Sequence, residues 1–488
     1  MDAYATISRF SKSTSYMKFL LLFLISIIFI IPYKLIAASA DTTQKERQFT
    51  KAELVADVNY MVKTIADVHP NMYHSISKKQ YESLTKNVIS QLHNGMTEKQ
   101  AWPVMAPLVG ALNEGHSNFN YPNDLLGGLK TGKDLLFPVV LREFDGRYLI
   151  VRIDGSAEDI LLPGDKIVSI NGIKASQLVD NLSTCSGGLR LWRANDVCRN
   201  IVVYMFMYNI KSPYHITYLR RDKIDSAVVK PTAFADYAGR IKAKATKQPA
   251  SPSPGNYSFN SIGNGKVLLT VNSLAGDLGE FKHFLDSAFT NFKQTNTNTL
   301  IIDLRRNGGG NSALAEALLG YITDKPFRMT GGVKWKISEE YKAQIRKNAD
   351  SATLKNMAYY LDGKNGAILE NSGPKPEKPA GNNLLFKGKV FVLIGPKTFS
   401  SANMLANTIQ DYKLATLVGE PSGEPANDYG ELISVKLPNT GFTFTTSVKQ
   451  FVRANGDAKD DHPVLPDYLV KDDLATPADE VLEYVKKL

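Results

Sequence analysis

The spacing of apolar residues changes twice along the chain, and each change marks a different kind of structure. Between residues 49 and 113 apolar residues recur every three or four positions, which predicts amphipathic helices. The first helix begins after Thr50, where Thr-Lys-Ala-Glu is a capping box, and further helices are expected at 78–92 and 97–112. This helical region ends at Glu114-Gly115-His116-Ser117, where glycine interrupts the helix and leaves His116 at a junction.

From about residue 135 to residue 229 the pattern consists of short β-type runs. These runs are 137–141, 148–153, 167–170, 201–207 and 215–219. Within them the stretch 162–172 contains two tight turns, the second at Asn171-Gly172. This stretch is similar to the Gly-Asp-x-Ile-x-x-Ile-Asn-Gly segment of PDZ domains, which bind an extended peptide at a sheet edge. An unrelated small β-domain is the alternative.

After a Pro- and Ser-rich segment at 242–255, strands and helices alternate, which predicts an α/β domain. Strands are expected at 267–271, 299–304, 390–394 and 415–418, and helices at 278–292, 312–322 and 401–412. The lysine-rich segment at about 325–385 is interpreted as an insertion. The predicted domains are therefore an N-terminal helical domain at 41–122, a PDZ-like domain at 134–240 and an α/β catalytic domain at 255–488.

The first forty residues have the features of an export signal. Lys18 precedes an almost wholly apolar run at 19–31, and Ala38-Ser39-Ala40 is a cleavage-type sequence. We therefore expect residues 1–40 to be a signal peptide and the protein to be periplasmic or extracellular, with an uncleaved membrane anchor as the alternative. Without these residues the net charge falls from +10 to +7. The remaining lysines are mixed with acids, a pattern that does not indicate nucleic-acid binding.

The chain has two cysteines, Cys185 and Cys198. In an exported protein such an isolated pair predicts one disulfide that closes a short loop. Two reduced, buried thiols are the alternative. Two cysteines without clustered histidines do not form a zinc site.

Two turns of the α/β region carry candidate chemistry. The apolar strand at 299–304 leads into Gly308-Gly309-Gly310, and the strand at 390–394 leads through Gly-Pro to Ser400 and Ser401 at the start of a helix. Backbone N–H groups in such turns can stabilise an oxyanion, and a serine at a helix N-terminus can act as a nucleophile. A tight turn and a helix cap are the alternatives when each motif is considered alone.

Further motifs resemble the tail-specific proteases, also called C-terminal processing peptidases. These motifs are Asp303–Gly310, Thr398–Ala402, Gly419–Gly423 with Asn427–Gly430, and Glu114–Ser117, which is similar to the family's Asp-Gly-His-Thr. The resemblance implies a ClpP/crotonase-like catalytic fold of the α/β class and serine-peptidase activity. It covers nearly all of residues 49–470.

Carried over to this chain, the resemblance makes Ser400 the nucleophile and the amides of Ser401 and Gly309 the oxyanion donors. Many members use a lysine about twenty-five residues after the serine, but this chain has Pro425 there and no Lys or Arg between 413 and 436. The tricorn-core-like branch uses a histidine from the N-terminal part, which His116 matches, and a late acid, which the ending at 460–467 assigns to Asp460.

The sequence therefore predicts an exported serine peptidase that cleaves peptide bonds in peptides or proteins through an acyl-enzyme. It implies no metal and no cofactor. A catalytically inactive protein that binds ligands or peptides on the same scaffold is one alternative. An enzyme that acts on acyl thioesters is a second alternative, which the export signal disfavours.

Overall fold

The N-terminal part of the chain is helical, as its periodicity predicts. The computed structural model describes residues 47–131, 133–245, 255–460, 462–471 and 478–488. The signal peptide predicted at residues 1–40 lies outside the described residues. The first elements are β1 (Gln48–Phe49), α1 (Lys51–Val68), α2 (Lys78–Gln91), β2 (Met96–Thr97), α3 (Glu98–Met105), α4 (Pro107–Gly110), β3 (Phe119–Asn120) and α5 (Gly127–Thr131).

Helix α1 begins at the predicted capping box. The Thr50 hydroxyl accepts a hydrogen bond from the Glu53 N–H, and the Glu53 carboxylate accepts one from the Thr50 N–H. Two N–H groups that lack partners inside the helix are thereby satisfied. The buried face of the helix includes the residues predicted from helical spacing, Leu54, Val58, Met61 and Ile65.

The helix predicted at 97–112 is divided in two. Pro103 lies inside α3 and Pro107 is the first residue of α4, and neither can donate a backbone hydrogen bond. The chain leaves the second helix through Asn113, whose φ of 52° is left-handed. The following turn carries His116 out of the helical layer toward the rest of the molecule.

The β-rich region is an antiparallel sheet with helices packed against it. Its strands have the order β4-β5-β6-β8-β9, with the short β7 paired to β6. The predicted turn at Asn171-Gly172 is confirmed, since both residues have positive φ (50° and 75°), as type I′ turns require. The elements are β4 (Val139–Phe144), β5 (Tyr148–Asp154), β6 (Lys166–Ile170), β7 (Ile173–Lys174), α6 (Ala175–Leu182), α7 (Arg190–Arg199), α8 (Ile201–Met207), β8 (Tyr214–Arg220), β9 (Lys223–Val229) and α9 (Phe234–Ala245).

One predicted strand of this region is wrong. Residues 201–207 form the helix α8, although their apolar and β-branched composition favours a strand. A continuous apolar run has no alternation that separates a buried strand from a buried helix. Here Ile201, Tyr204 and Met205 are buried on helical spacing, directly after α7.

The predicted disulfide between Cys185 and Cys198 is also wrong. Both residues are buried thiols that are not joined to each other. The Cys185 sulfur lies 3.6 Å from the Tyr204 hydroxyl and 3.6 Å from the Ser186 hydroxyl. Burial raises the pKa of the Cys185 thiol, which disfavours the reactive thiolate. The alternative interpretation, two reduced thiols in a core, is the one that the structure supports.

The C-terminal half is built on a mostly parallel sheet, which confirms the predicted α/β class. The strand order is β10-β11-β12-β15-β16-β19, and all neighbours from β11 onward are parallel. The elements are β10 (Tyr257–Ser261), β11 (Lys266–Val271), α10 (Leu278–Gln294), β12 (Thr299–Asp303), α11 (Ser312–Ile322), β13 (Gly332–Lys336), α12 (Glu339–Asn348), α13 (Ser351–Asn356), α14 (Ala358–Leu361), β14 (Ile368–Ser372), β15 (Lys389–Ile394), α15 (Ser401–Tyr412), β16 (Thr416–Gly419), β17 (Asp428–Lys436), β18 (Thr443–Val452), β19 (Tyr468–Leu469) and α16 (Glu480–Val485).

The turn with the triple glycine and the turn with Ser400 lie side by side, at the carboxyl ends of two neighbouring strands. Strands β12 and β15 are adjacent and parallel, with Asp303 opposite Leu393. Their carboxyl ends therefore lie side by side, as is usual for ligand sites of open α/β sheets. The turns are joined directly, because the Phe399 N–H donates to the Asn307 carbonyl at 3.1 Å.

The lysine-rich segment 325–385 contributes to a second sheet. Strands β13 and β14 join β17 and β18 in the order β14-β13-β18-β17, and β3 pairs with β18. Trp335, Tyr341 and Tyr360 from this segment pack into the same core as α1. The segment therefore links the helical region to the parallel-sheet region.

In the described part of the chain, every helix is too short or too polar to cross a membrane.

A buried aspartate joins α1 to the hairpin between β17 and β18. The Asp57 carboxylate is fully buried and accepts hydrogen bonds from the backbone N–H and side chain of both Asn439 and Thr440. One carboxylate thus satisfies four donors, which belong to residues far from it in the sequence. Removing that acceptor leaves buried donors unpaired.

We expect Asp57→Ala to lower the free energy of unfolding by about 3 kcal/mol, because hydrogen bonds to a buried charge are lost together. Urea denaturation followed by circular dichroism measures the change. The matched control is Asp67→Ala on the same helix, whose carboxylate is paired with Lys63 at the surface, and it should cost less than about 1 kcal/mol. Equal losses in the two variants would contradict this account.

Candidate active site

Ser400 occupies a strained position between β15 and α15. Its φ of 53° and ψ of −127° lie in a region that side chains rarely adopt. A sharp turn of this kind exposes the hydroxyl at the start of a helix, instead of turning it into the helix as a cap. Strain of about 1–3 kcal/mol at such a residue persists only where the surroundings enforce it, and these positions cluster at active sites.

The structure brings His116 to Ser400 from 284 positions away in sequence. The His116 Nε2 lies 3.3 Å from the Ser400 Oγ. This distance suits a base that removes the hydroxyl proton, and catalytic hydrogen bonds often tighten only when substrate binds. The imidazole also packs on the Phe399 ring, with 4.8 Å between ring centres. Two of the predicted site residues are therefore in contact.

Glu424 is the acid that accompanies this histidine. Its Oε1 lies 3.2 Å from the His116 Nδ1, and its Oε2 accepts a hydrogen bond from the Ser400 backbone N–H. One carboxylate thus contacts both the histidine ring and the backbone of the serine. Glu424 is buried, with 2% of its surface exposed, so these contacts are not screened by solvent. The order Glu424, His116, Ser400 has the arrangement of a catalytic triad.

Asp460, the acid predicted from the resemblance, does not contact His116. Its carboxylate forms an ion pair with Arg453 and also accepts the His462 N–H at 3.0 Å. Arg453 is paired with Asp411 as well. Asp460 therefore stabilises the chain after β18 through Arg453, and the structure places Glu424, not Asp460, at the His116 ring.

Glu424 lies between two of the motifs that carry the family resemblance. The stretch Gly419–Gly423 ends one residue before it, and Pro425, where many members of the resembled family have a lysine, directly follows it. Glu424 is the ionisable residue nearest to Pro425 in this turn, and it is an acid instead of a cation. Sequence alone does not show that the side chain points inward, toward His116.

A second acid, Glu114, shapes the turn that carries the histidine. Its Oε2 accepts the His116 backbone N–H at 2.8 Å, and its Oε1 accepts hydrogen bonds from the hydroxyls of Ser117 and Ser447. The buried carboxylate also lies 3.8 Å from the His69 Nε2. Glu114 is therefore a positioning residue that fixes the backbone of the histidine turn.

The charges at the site are strongly coupled. Burial disfavours the imidazolium, but Glu424 and Glu114 outweigh this effect, so the pKa of His116 is raised. Burial raises the pKa of Glu424, opposed by His116 and the Ser400 N–H. Asp428 is also buried, and burial together with Glu424 holds its pKa well above the usual range. The neutral form of Asp428 is therefore favoured.

Gly309 lies against Ser400, but its N–H group is bonded within its own turn. A Cβ at Gly309 would lie 2.7 Å from the Ser400 Cβ, so only glycine allows the two turns to approach this closely. Its N–H donates to the Asn307 Oδ1 at 2.9 Å. The assignment of this amide as an oxyanion donor is therefore not supported, because its hydrogen is already bonded.

Ser401 is the first residue of α15, where backbone N–H groups lack partners within the helix. Among the described residues no acceptor is bonded to its N–H. Its side-chain hydroxyl instead donates to the Gly310 carbonyl at 2.6 Å and connects the two turns. The Ser401 amide is thus oriented by the helix and by the glycine turn.

The β-rich region supplies one wall of the site. Trp192 on α7 stacks on Phe399, with 3.9 Å between ring centres and 12° between planes. A cavity of about 480 Å3 opens beside His116. Its walls come from all three regions of the chain: Gly115, His116, Asn118, Phe119, Asn120, Tyr121, Ser186, Trp192, Asp196, Arg199, Asn200, Tyr204, Leu432 and Thr445.

Comparison with known proteins relates the C-terminal half of the chain to a known family and the fold to solved structures. Residues 268–470 match the sequence model of peptidase family S41. The fold is similar to that of mature CPAF, with a TM-score of 0.56 and 14% identity over 86% of this chain and 92% of that chain. Mature CPAF complexed with lactacystin has a TM-score of 0.57 and 14% identity over 86% of this chain and 93% of that chain. A mutant of CPAF has a TM-score of 0.59 and 15% identity over 86% of this chain and 93% of that chain.

The fold and the family match define a serine-type peptidase, a hydrolase that acts on peptides or proteins. The match to peptidase family S41 covers residues 268–470, and this region has an α/β fold of the predicted ClpP-like kind, combined with a β-rich region that precedes it. The resemblance to the tail-specific proteases is thereby confirmed. The individual catalytic roles and the PDZ-like character of the β-rich region stay predictions.

We expect Glu424→Gln to lower kcat/KM by roughly 10²- to 10⁴-fold, because the acid that orients the imidazole and stabilises its charged form is lost. Glu424 raises the pKa of His116, and a general base must be neutral. The acidic limb of the pH profile should therefore move to lower pH in the variant.

Asp460→Asn is the control for this experiment. It removes an acid whose carboxylate contacts Arg453, so it should reduce stability while kcat stays near that of the wild type. A large loss of kcat in Asp460→Asn with little loss in Glu424→Gln would reverse the assignment of the acid.

We expect Asp428→Asn to be as stable as the wild type at acidic pH and more stable at neutral pH. Because the folded state raises the pKa of Asp428, it binds a proton that the unfolded chain has released, and the unfolding free energy falls as pH rises above the unfolded pKa. The Asn side chain of the variant cannot ionise, so its free energy of unfolding does not fall in this way as pH rises. Denaturant titrations at several pH values measure it, and a variant destabilised at neutral pH would show that the carboxylate is charged there.

Proposed function

We propose that this protein cleaves peptide bonds through an acyl-enzyme on Ser400. The hydroxyl oxygen attacks the carbonyl carbon of the substrate, and His116 takes its proton. The supporting observation is the 3.3 Å contact between the His116 Nε2 and the Ser400 Oγ, at a backbone position strained in the manner of a nucleophile.

The histidine then returns the proton to the leaving amine, and a water molecule hydrolyses the ester by the same route in reverse. Glu424 stabilises the imidazolium that forms in each half of this cycle. Its contact with the Nδ1 keeps the Nε2 directed at the serine. The raised pKa of His116 is consistent with an imidazole that becomes charged beside a carboxylate.

The oxyanion of the tetrahedral intermediate lies next to Ser401 in this proposal. The backbone N–H of Ser401 and the positive end of α15 act on the same side of the serine. The amide of Gly309 would join them only after releasing the Asn307 side chain. We therefore assign the first oxyanion donor to Ser401.

We further propose that the substrate is an extended segment of a peptide or protein that enters the cavity beside His116. Trp192, Asp196 and Arg199 of α7 line this cavity, so the β-rich region contributes to substrate binding. A PDZ-like region would hold the chain by adding it to a sheet edge. Placement in the tricorn-core-like branch rests on the use of a histidine instead of a lysine.

Export to the periplasm or the cell exterior is also part of the proposal. It rests on the apolar segment and the Ala-x-Ala sequence of residues 1–40. The cysteines give it no support, since Cys185 and Cys198 are not linked. Comparison of the mature N-terminus by mass spectrometry with the position after Ala40 tests the cleavage directly.

We expect Ser400→Ala to abolish hydrolysis of unstructured protein substrates and labelling by a fluorophosphonate probe. His116→Gln should reduce both by at least about 10³-fold, because the nucleophile loses its base. Turnover assays and probe labelling of purified protein measure these effects, with folding checked by circular dichroism.

The control is Ser90→Ala, which alters an exposed serine of α2 and should behave as the wild type. Undiminished turnover in Ser400→Ala would refute the proposed mechanism. A wild-type protein that binds peptides but neither cleaves them nor reacts with the probe would instead be a binding protein on this scaffold.

A further inference from the structure

The backbone of His116 is held on both sides by residues of one strand. Its carbonyl accepts a hydrogen bond from the Thr445 hydroxyl at 2.7 Å. Its N–H donates to the Glu114 carboxylate at 2.8 Å, and that carboxylate accepts a hydrogen bond from the Ser447 hydroxyl at 3.1 Å. Thr445 and Ser447 both belong to β18. We call these two residues the β18 clamp.

The two residues of the β18 clamp share one face of their strand. Successive side chains of a strand point to opposite faces, so positions 445 and 447 lie on the same side. The other side carries Phe444, Thr446 and Val448, which are fully buried. The strand therefore packs into the core with one face and holds the histidine turn with the other.

The Thr445 hydroxyl is itself fixed by its neighbours. It accepts a hydrogen bond from the Asn118 N–H at 3.1 Å, while the Thr445 N–H donates to the Asn118 carbonyl at 2.8 Å. A hydroxyl that accepts one hydrogen bond still has its own hydrogen to donate, and here it donates to the His116 carbonyl. The pairing continues into β3, where Phe119 lies opposite Phe444. The chain on the C-terminal side of the histidine is thus attached to β18.

The Ser447 hydroxyl acts on the other side of the histidine, through Glu114. Ser447 and Glu114 are 0% and 4% exposed, so water does not compete for the hydrogen bond between them. The Glu114 Oε1 also accepts a hydrogen bond from the Ser117 hydroxyl, and its Oε2 accepts the His116 N–H. A buried carboxylate with donors on both oxygens is held in one orientation. Ser447 therefore helps to fix the group that fixes the His116 N–H.

The β18 clamp restricts where the imidazole can lie. Both backbone polar groups of His116 are bonded, and the preceding Gly115 packs against Phe399, because a Cβ at this glycine would lie 2.5 Å from that ring. The histidine turn is thus enclosed between β18 and the residue before Ser400. A misplacement of about 1 Å can cost roughly 10²-fold in rate, so the position of this backbone matters for a base.

We propose that Thr445 and Ser447 are positioning residues, which set the distance between the His116 ring and the Ser400 hydroxyl by holding the His116 backbone. This inference rests on the proposed function and adds two residues that act through the histidine. It also gives the segment 325–385 a part in supporting the site, because β13 of that segment pairs with β18.

Paired substitutions test the β18 clamp. Thr445→Val and Ser447→Ala each remove one hydroxyl, and each should lower kcat about tenfold. The double variant should lower kcat by roughly 10²-fold. Thr445→Ser keeps the hydroxyl and should restore most of the activity. The KM of Ser447→Ala should stay unchanged, because Ser447 is buried and is not part of the cavity wall. An undiminished kcat in the double variant would overturn the inference.

Thr446→Val is the matched control. It is the same change on the same strand, but among the described residues the Thr446 hydroxyl has no hydrogen-bond partner. Valine at this position should leave kcat unchanged, since no hydrogen bond is lost. A fall in kcat equal to that of Thr445→Val would show a general effect of altering β18 and would refute a specific role for the clamp.

The pH profile distinguishes positioning from a simple loss of folded protein. Burial lowers the pKa of His116, but Glu424 and Glu114 outweigh burial and raise it. The pKa of an imidazole displaced from this environment falls toward its ordinary value. The acidic limb of kcat/KM should therefore move to lower pH in Thr445→Val/Ser447→Ala. An equal fall in activity at every pH, with the limb in place, would contradict the inference.

An NMR titration separates this inference from the proposed mechanism. Histidines labelled with carbon-13 are titrated in Ser400→Ala, and the signal of His116 is assigned by its loss in His116→Gln. A lower pKa of His116 when Thr445→Val and Ser447→Ala are added supports the clamp even if another residue is the nucleophile. An unchanged pKa argues against the clamp even if Ser400 proves to be essential for cleavage.

Discussion

The contact between a buried carboxylate and two partners at once is what the site depends on. Glu424 accepts the backbone N–H of Ser400 with one oxygen and lies 3.2 Å from the His116 ring with the other. The first contact stabilises a strained turn, and the second orients a residue that belongs to another region of the chain. Removing either partner would leave an uncompensated acid in the interior, so the three groups stabilise one another's positions.

Several acidic side chains are buried around His116, although burying carboxylates close together is unfavourable for folding. Glu114 and Glu424 are buried beside the His116 imidazole, and Asp428 is buried close enough to these two acids for their charges to raise its pKa. The molecule tolerates this because Glu114 is surrounded by donors and the neutral form of Asp428 is favoured. Perturbed groups of this kind are typical of functional sites, where stability is exchanged for reactivity.

Local patterns predicted most elements of the parallel-sheet region, including α11 and α15 at their observed bounds, because strong periodicity and turn residues agree there. The prediction that His116 and Ser400 would meet came instead from the resemblance to the tail-specific proteases. Predictions from local patterns failed where contacts between residues far apart in the sequence determine the structure. The apolar run at 201–207 became a helix after α7, two cysteines with suitable spacing remained thiols, and the third acid depended on which side chain pointed inward. None of these outcomes is encoded in a short window of residues.

The stacking of Trp192 on Phe399 has a consequence for the synthesis of the protein. A chain emerging from the ribosome presents its histidine first, then the indole of the cavity wall, and only much later Ser400 and Glu424. If the proposed mechanism holds, a nascent fragment that lacks Ser400 and Glu424 has no nucleophile and no acid to orient the histidine. On that mechanism, cleavage requires the N-terminal histidine turn, the indole wall and both C-terminal groups to be packed together first.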